Sequence, residues 1–373
     1  MKKRSLYSLF VVFFSMLLLV SALSGCAGEQ TEPDTQVTQE IPAVEKRIPI
    51  IETVGTRTDD LEIEEGFAPY VIPWNVNASE NAKKYGSLDF YFMSIGDMPF
   101  RLGTNSPGKW GDSCLVAFPN GELMLVDSGL APAQRFMVQN LKLLGVEKLD
   151  YLLISHPHDD HIDGAIQEGG VLESIPVGKI FCNGVLNERP YQGDQQKLYD
   201  MAEERGIPVE FLKTGDTMEI GGVQIEILQP PEGVHGMEMY KTSLVNDYSI
   251  VMRMDYGETS ALFTGDLYAS AEIALCSLMP EKLDVDLLKA PHHGGSTSST
   301  ERFVSAVSPK ITVATANVKM PEDVYSRYKA VGADVYLDWC DGYIFVSSDG
   351  KEMTVETSQE RDTDTYAKYD HSS

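Results

Sequence analysis

Residues 152–164 read Leu152-Leu153-Ile154-Ser155-His156-Pro157-His158-Asp159-Asp160-His161-Ile162-Asp163-Gly164, an apolar run followed at once by a polar turn. This turn places three of the seven histidines of the chain, together with an aspartate, within six residues. Imidazole nitrogens and carboxylate oxygens are ligands that zinc and similar divalent ions prefer. We therefore expect His156 and His158 to bind one ion, and Asp160 and His161 to bind its neighbour. A solvated polar turn is the alternative, which the clustering after a buried strand disfavours.

The turn resembles the HxHxDH motif of the metallo-β-lactamase superfamily, and every specified position of the motif is matched. The resemblance implies an α/β fold with four layers, an αββα sandwich. It also implies two divalent metal ions, zinc or alternatively manganese. The mixed succession of apolar strands and helical segments over residues 88–357 is typical of such a layered domain.

The resemblance implies further elements, and the chain offers a candidate for each in the expected order. Asp127 follows a short apolar strand and is expected to brace the metal turn from outside the ligand set. Asp266, in Thr264-Gly265-Asp266, is expected to bridge the two ions. Asn246, in Asn246-Asp247-Tyr248-Ser249, matches an NxxS element and is expected to support the ligands without binding metal.

Pro291-His292-His293-Gly294 makes the resemblance more specific. This pattern resembles the competence-protein (ComEC-like) branch, in which an exported hydrolase domain is associated with DNA uptake, and surface phosphorylcholine esterases of Gram-positive bacteria. Gly111-Asp112-Ser113 resembles part of the opening signature of that branch, interrupted here by a loop over residues 97–109. We expect His293 to bind metal and His292 to contact the leaving group or a phosphate oxygen, although the sequence alone leaves this order open.

The chain also departs from the family pattern at two places. The third histidine that completes the first metal site in many members has no clear counterpart, since only His235 lies between His161 and His292. His235 lies in a glycine-containing loop, and we expect a surface histidine there rather than a ligand. Met320 stands before Pro321, where the related domains commonly carry a histidine.

The N-terminal residues predict export and lipid anchoring. Lys2, Lys3 and Arg4 precede an apolar run that is too short to span a bilayer comfortably, and the small residues before Cys26 resemble a lipobox. An ordinary signal peptide is the alternative. The expected organisation is a signal peptide at 1–25, a disordered tether at 26–47 beginning with the lipid-anchored Cys26, an extension of unassigned role at 48–87, the metallo-β-lactamase domain at 88–357 and a polar tail at 358–373.

The composition limits the partners. Removal of residues 1–25, which carry three cations and no acid, takes the formal charge from −26 to about −29. This large negative charge disfavours binding to nucleic acid, although it does not exclude a local basic groove. We expect a monomer, held at the extracytoplasmic face of the bacterial membrane by its lipid, that acts on a small-molecule or polymer ester.

The expected chemistry is hydrolysis. Two cations would lower the pKa of a shared water from about 15.7 toward neutrality, so that hydroxide is the nucleophile, with Asp160 orienting its proton. A phosphodiesterase, nuclease-like or acting on a wall polymer or phosphorylcholine ester, is the first hypothesis. A lactone, carboxylic-ester or amide hydrolase is the alternative, because the metal centre alone does not set the substrate. A non-catalytic binding lipoprotein with a degenerate metal site is the second alternative.

Overall fold

A computed structural model describes residues 74, 76–93, 111–188, 194–316 and 319–359. The expected signal peptide, Cys26, the tether, the loop at 97–109 and nearly all of the tail lie outside these residues. The strands within the described residues are β1 Leu88–Phe92, β2 Cys114–Ala117, β3 Leu123–Val126, β4 Leu149–Ile154, β5 Val177–Cys182, β6 Leu186–Asn187, β7 Val209–Phe211, β8 Thr217–Ile220, β9 Val223–Gln229, β10 Glu238–Met239, β11 Val251–Tyr256, β12 Thr259–Phe263, β13 Leu287–Lys289, β14 Ile311–Ala314, β15 Asp334–Leu337, β16 Ile344–Ser348 and β17 Met353–Thr357.

The helices of the same residues alternate with these strands. They are α1 Ala78–Tyr85, α2 Gln134–Leu143, α3 Asp159–Ile166, α4 Val171–Ser174, α5 Gln195–Arg205, α6 Thr242–Asp247, α7 Ala269–Leu278, α8 Glu301–Val307, α9 Glu322–Ala330 and α10 Asp338–Asp341. In the described part of the chain, no helix combines the length and the apolar character that crossing a bilayer requires.

The strands of the described residues form two large mixed sheets and one small ribbon. The first sheet has the order β17-β16-β1-β2-β3-β4-β5-β7, and the second has the order β15-β14-β13-β12-β11-β9-β8. In each sheet a parallel half adjoins an antiparallel half: β3, β4, β5 and β7 run parallel in the first, and β12 to β15 in the second. The short strands β6 and β10 pair with each other alone.

Alternation of side chains along the central strands builds three apolar layers. In β1, Phe90 and Phe92 point between the two sheets, whereas Tyr91 points toward the helices that cover the first sheet. In β13, Leu287 points between the sheets and Leu288 points toward the helices that cover the second. Because strands buried on both faces need apolar residues at every position, these runs are almost continuously apolar. The result is the four-layer αββα sandwich that the sequence predicted.

Helix α1 belongs to the stretch to which the sequence assigned no role. Asn77 caps its first turn by accepting a hydrogen bond from the Glu80 amide at 3.1 Å, and Gly86, with φ of 60°, ends it. Its Ala78 and Ala82 are fully buried in the layer between the first sheet and its helices, together with Trp74. Part of the 48–87 extension therefore packs into the domain core.

Candidate metal centre

The predicted ligands come together where parallel strands of both sheets end. The turn after β4 supplies His156 and His158, the first turn of α3 supplies Asp160 and His161, the turn after β12 supplies Asp266, and the turn after β13 supplies His293. All six are at most 5% exposed. Carboxyl ends of parallel strands are the usual place for a site in such folds, because the turns that follow the strands converge there.

Four side chains converge on one point of this site. The Nε2 atoms of His161 and His293 each lie 3.3 Å from Oδ2 of Asp266. Nε2 of His293 also lies 3.3 Å from Oδ2 of Asp160. The donor set of two imidazoles and two carboxylates suits a divalent transition metal.

His156 and His158 form a second pair of facing donors. Nε2 of His156 lies 2.9 Å from Nδ1 of His158, so the two rings present ligand atoms to the same place. The ring centroids of His156 and His161 are 4.1 Å apart, which places this pair directly beside the first group. The structure thus brings together all the residues that the sequence assigned to the two ions.

Each of the two converging histidines is held by a carboxylate behind it. Asp127 lies 2.8 Å from Nδ1 of His161 and accepts two further hydrogen bonds from Ser155, each 2.7 Å long. Asp112 lies 3.3 Å from Nδ1 of His293. A carboxylate on Nδ1 fixes the tautomer that leaves Nε2 free for a metal and makes it a stronger ligand.

Asp112 is a residue whose role the sequence did not reveal. Its carboxylate forms an ion pair with Lys289 and accepts a short hydrogen bond from the Thr315 hydroxyl. Lys289 is 4% exposed, and its Nζ also donates to the Gly265 carbonyl at 3.2 Å. A lysine that ends the otherwise apolar strand β13 was the available signal, because a lysine is almost never buried unless it is paired.

The electrostatics of the centre favour cations. Burial opposes the charged form of His161, yet Asp266 and Asp127 raise its pKa from 6.5 to about 10. Burial would raise the pKa of Asp266, but His293 and His161 hold it well below its usual value. Lys289 and His293 likewise lower the pKa of Asp112 against the effect of burial. The carboxylates are therefore ionised, and the proton that they stabilise on His161 can be replaced by a metal ion, since ligands must lose protons to bind.

A test of fit comes from buried atoms that lack hydrogen-bond partners. Among the described residues, these atoms include Nε2 of His161 and Oδ1 of Asp266, both inside the centre. An unpaired buried polar atom costs about 1–3 kcal/mol, so such atoms at one place call for an additional partner. A divalent cation bound by imidazole and carboxylate is the partner that this chemistry fits.

His292 and His293 have different surroundings. The His293 ring is buried in the centre, whereas the His292 side chain is 24% exposed at the rim. Nδ1 of His292 contacts the Thr297 hydroxyl, its Nε2 lies 3.8 Å from Oδ2 of Asp266, and its ring lies 4.8 Å from that of Tyr268. Both histidines have positive φ, 47° and 55°, a conformation that costs about 1–3 kcal/mol per residue and recurs at functional sites.

The remaining sequence candidates lie at different distances from the centre. His235 is exposed and stacks on Phe211 with ring centroids 3.9 Å apart, so it is not brought to the ligands. Met320 is buried against Gly294, where its Cε fills the place that a side chain would take. Asn246 is buried and 1% exposed, near the end of helix α6, which precedes β11.

Close packing of the backbone holds Gly111 and Asp112 against the carbonyl group of Asp160. A Cβ atom on Gly111 would lie 2.2 Å from the carbonyl oxygen of Asp160, and the φ of Gly111 is 89°. The next residue, Asp112, donates its amide to the same carbonyl at 2.9 Å. Only glycine fits here, because any side chain would separate Asp112 from the ligand turn.

Comparison with known proteins adds independent findings. A family model described as "Metallo-beta-lactamase superfamily" matches residues 108–314. The chain is 26% identical over 225 residues to ComE operon protein 3 of Bacillus subtilis (strain 168), a match that covers 55% of this chain and 27% of that protein. It is 33% identical over 229 residues to Competence protein ComA of Neisseria gonorrhoeae, covering 60% and 28%.

The chain therefore spans little more than a quarter of the length of these curated relatives. Among solved structures, the metallo-β-lactamase fold protein YhfI from Bacillus subtilis superposes with a TM-score of 0.45 at 15% identity, covering 67% of this chain and 96% of that one. The sequence similarity to competence proteins that the motifs indicated is confirmed by the named relatives.

Proposed function

Because the chain belongs to the metallo-β-lactamase superfamily, whose family model matches residues 108–314, we propose that this enzyme is a metal-dependent phosphodiesterase that acts outside the cytoplasmic membrane. The observation that carries the proposal is the convergence of the Nε2 atoms of His161 and His293 on Asp266, each at 3.3 Å. Among the described residues, this convergence of buried ligand atoms lies at the usual place for a site in the fold.

Two divalent ions, zinc or manganese, would be held by His156, His158, Asp160, His161, Asp266 and His293, and when bound they supply water activation and neutralisation of charge on the attacked ester. Asp160 would orient the nucleophile by accepting a hydrogen bond from it at a carboxylate oxygen. His292 presents Nε2 at the rim, where the ring can donate a hydrogen bond to a phosphate oxygen or to the leaving group. Its Nδ1 is engaged by Thr297, which fixes the orientation of the ring.

Two features favour a phosphodiester over a carboxylic ester. The rim offers hydrogen-bond donors in His292 and the half-buried Tyr268, and such donors suit the several oxygens of a phosphate. The relatives at 26% and 33% identity are named as competence proteins, and the matching motif also resembles phosphorylcholine esterases. Among phosphodiesters, the formal charge of −26 favours one that carries little net negative charge, such as a phosphorylcholine ester.

The test is metal analysis of the purified protein combined with a panel of reporters. We expect bound divalent metal and hydrolysis of bis(p-nitrophenyl) phosphate or p-nitrophenyl phosphorylcholine, both abolished by Asp160→Asn. Asp159→Asn, the same change at the adjacent half-buried carboxylate, is the matched control and keeps activity. Hydrolysis of a lactone or carboxylic ester alone would establish the alternative substrate class, and the absence of metal and of all turnover would leave a binding protein.

The proposed location rests on the N-terminal residues, which lie outside the described part of the chain. Cys26→Ser removes the thiol that a lipid anchor requires. We expect this variant to move from the membrane fraction to the soluble extracytoplasmic fraction. A variant that stays with the membranes after a salt wash would show that another feature holds the protein there.

A further inference from the structure

Asn246 is a buried side chain whose amide oxygen has no hydrogen-bond partner. It is 1% exposed, its Oδ1 atom lacks a partner within hydrogen-bonding geometry, and its amide group is hydrogen-bonded to Tyr268. Leaving a buried acceptor without a partner costs about 1–3 kcal/mol. Such a residue is retained where its polar atoms have a function that the protein alone does not satisfy.

The residues that follow Asn246 are hydrogen-bonded to the turn before His156 and to the turn that carries Asp266. The Ser249 amide donates to the Asn246 carbonyl at 3.0 Å, and the Ser249 hydroxyl accepts a 3.1 Å bond from the amide of Asp266. The next amide, that of Ile250, donates to the carbonyl of Ser155 at 2.9 Å, one residue before His156. Asn246 is thereby fixed beside the turns that carry His156 and Asp266.

The neighbouring side chain of Tyr268 also places the Asn246 amide beside the metal centre. Burial raises the pKa of the Tyr268 hydroxyl, and Asn246 opposes that rise, which places the two groups side by side. Tyr268 follows Asp266 by two residues, and its ring contacts His292. The amide therefore lies at the margin of the metal centre, on the side of Asp266 and His292.

The pair of His156 and His158 needs a third protein ligand. A catalytic metal commonly has three protein ligands and one open position, and the exposed His235 does not reach the centre. We infer that the Oδ1 atom of Asn246 is a protein ligand of the ion held by His156 and His158, in the place that a third histidine takes in many superfamily members. This inference rests on the proposed metal-dependent function and replaces the supporting role expected for Asn246.

An amide oxygen is a harder ligand than an imidazole nitrogen. The subsite that contains Asn246 is therefore a harder metal site than one made of three histidines. Carbonyl and carboxylate oxygens suit manganese and magnesium, whereas imidazole suits zinc. The subsite that contains Asn246 therefore prefers manganese, relative to zinc, more than a three-histidine site does. The substitution Asn246→His is therefore expected to shift the metal preference of this subsite toward zinc.

The test measures metal stoichiometry and affinity on the full-length protein and five variants. We expect two ions per wild-type chain. Asn246→Leu, which has similar volume but no donor atoms, should retain one ion and bind the other at least about tenfold more weakly, as His156→Ala does. Asn246→Asp should retain both ions, and Asn246→His should raise the affinity for zinc relative to manganese. Tyr268→Phe is the matched control and should retain both ions.

Each outcome is decisive. If Asn246→Leu binds both ions with wild-type affinity, or if Asn246→His leaves the zinc-to-manganese ratio unchanged, Asn246 is not a ligand, even when the wild type hydrolyses phosphodiesters. If the leucine variant fails to fold, the comparison of Asn246→His and Asn246→Asp with the wild type decides. If the variants behave as expected but no phosphodiester is hydrolysed, the ligand assignment stands and the proposed function fails.

Discussion

At the scale of single residues, His292 and His293 are neighbours in sequence that the structure assigns to different surroundings. His293 has its Nε2 between Asp160 and Asp266, at 3.3 Å from each, while Asp112 lies behind its Nδ1. His292 is partly exposed and has Thr297 at its Nδ1. The first environment suits a metal ligand and the second suits a contact to substrate.

Substitution of the two histidines should therefore have different effects on metal binding and on kcat. We expect His293→Ala to lose bound metal, whereas His292→Ala keeps its metal and loses about 10²- to 10³-fold in kcat, as removal of one electrostatic stabiliser does. Metal counts and kcat on the two purified variants check this. The reverse pattern would exchange the roles, and full metal with full activity in both would reduce the motif to a turn.

The ion pair of Asp112 and Lys289 predicts a second effect. Asp112 is a buried carboxylate, and Lys289→Met would leave it without its cation at a cost of about 3–5 kcal/mol. Since Asp112 also positions His293, we expect weaker metal binding as well, by about 10- to 100-fold. Chemical denaturation and metal titration measure the two effects.

Lys310→Met is the matched control for that substitution. Lys310 also pairs with an aspartate, Asp286 at 2.7 Å, but its side chain is 80% exposed. A surface pair of this kind contributes at most about 1 kcal/mol, so the control should be nearly neutral in stability and neutral in metal affinity. Equal effects of the two substitutions would show that burial of the Lys289 pair has no special consequence.

At the scale of elements, helix α7 holds the start of α8 through one buried side chain. Glu272 accepts hydrogen bonds from the amides of Ser299 and Thr300, the latter at 2.8 Å, and Thr300 is the N-cap of α8. The segment between β13 and α8 contains both His292 and His293. Glu272 therefore anchors the far end of the turn that carries them.

Glu272→Ala should destabilise the fold by about 1–3 kcal/mol, because it leaves two amides without their acceptor. We expect a lower midpoint of chemical denaturation, while Glu281→Ala, at an exposed glutamate just after the same helix, changes stability by less than about 0.5 kcal/mol. An unchanged midpoint for Glu272→Ala would mean that water replaces the carboxylate without cost.

Elements with strong local signals were predicted closely from the sequence. In the sequence, the apolar run at 123–126 predicts a strand and the helical spacing at 195–205 predicts a helix. Both elements have these bounds in the structure, because apolar runs and helical periods are local properties. Asp194 and Gly206 mark the ends of that helix. Helix α1 was not predicted, because it is short and polar and its two buried alanines give little periodic signal.

Only part of the candidate site, likewise, could be predicted from the sequence. The turn at 155–161 was predicted because its ligands are adjacent in sequence. The contact of Asp112 with His293 and Lys289 was not predicted, since it joins the turn before β2 to the end of β13 across the two sheets. Contacts between residues so far apart in sequence depend on how the sheets pack, which no local pattern contains.

At the scale of the whole molecule, the formal charge of −26 acts on any charged substrate that approaches. The ligand set itself contains two carboxylates, Asp160 and Asp266, and bound cations offset the negative charge only locally. A polyanion such as single-stranded DNA must come close to the surrounding acidic surface, whereas a zwitterionic phosphorylcholine ester carries no net charge. The two substrate classes therefore differ in how strongly the protein's field repels them.

Salt should separate these two classes in a single experiment. The screening length falls from about 30 Å at 0.01 M ionic strength to about 8 Å at 0.15 M, so repulsion between an acidic protein and an oligonucleotide weakens as salt is added. We expect kcat/KM for a short single-stranded oligonucleotide to rise several-fold over this range. For p-nitrophenyl phosphorylcholine, kcat/KM should change by less than about twofold, because no net charge is being screened. The opposite slope for the oligonucleotide would reveal a local basic groove that guides the polymer to the centre, since only attraction is weakened by salt.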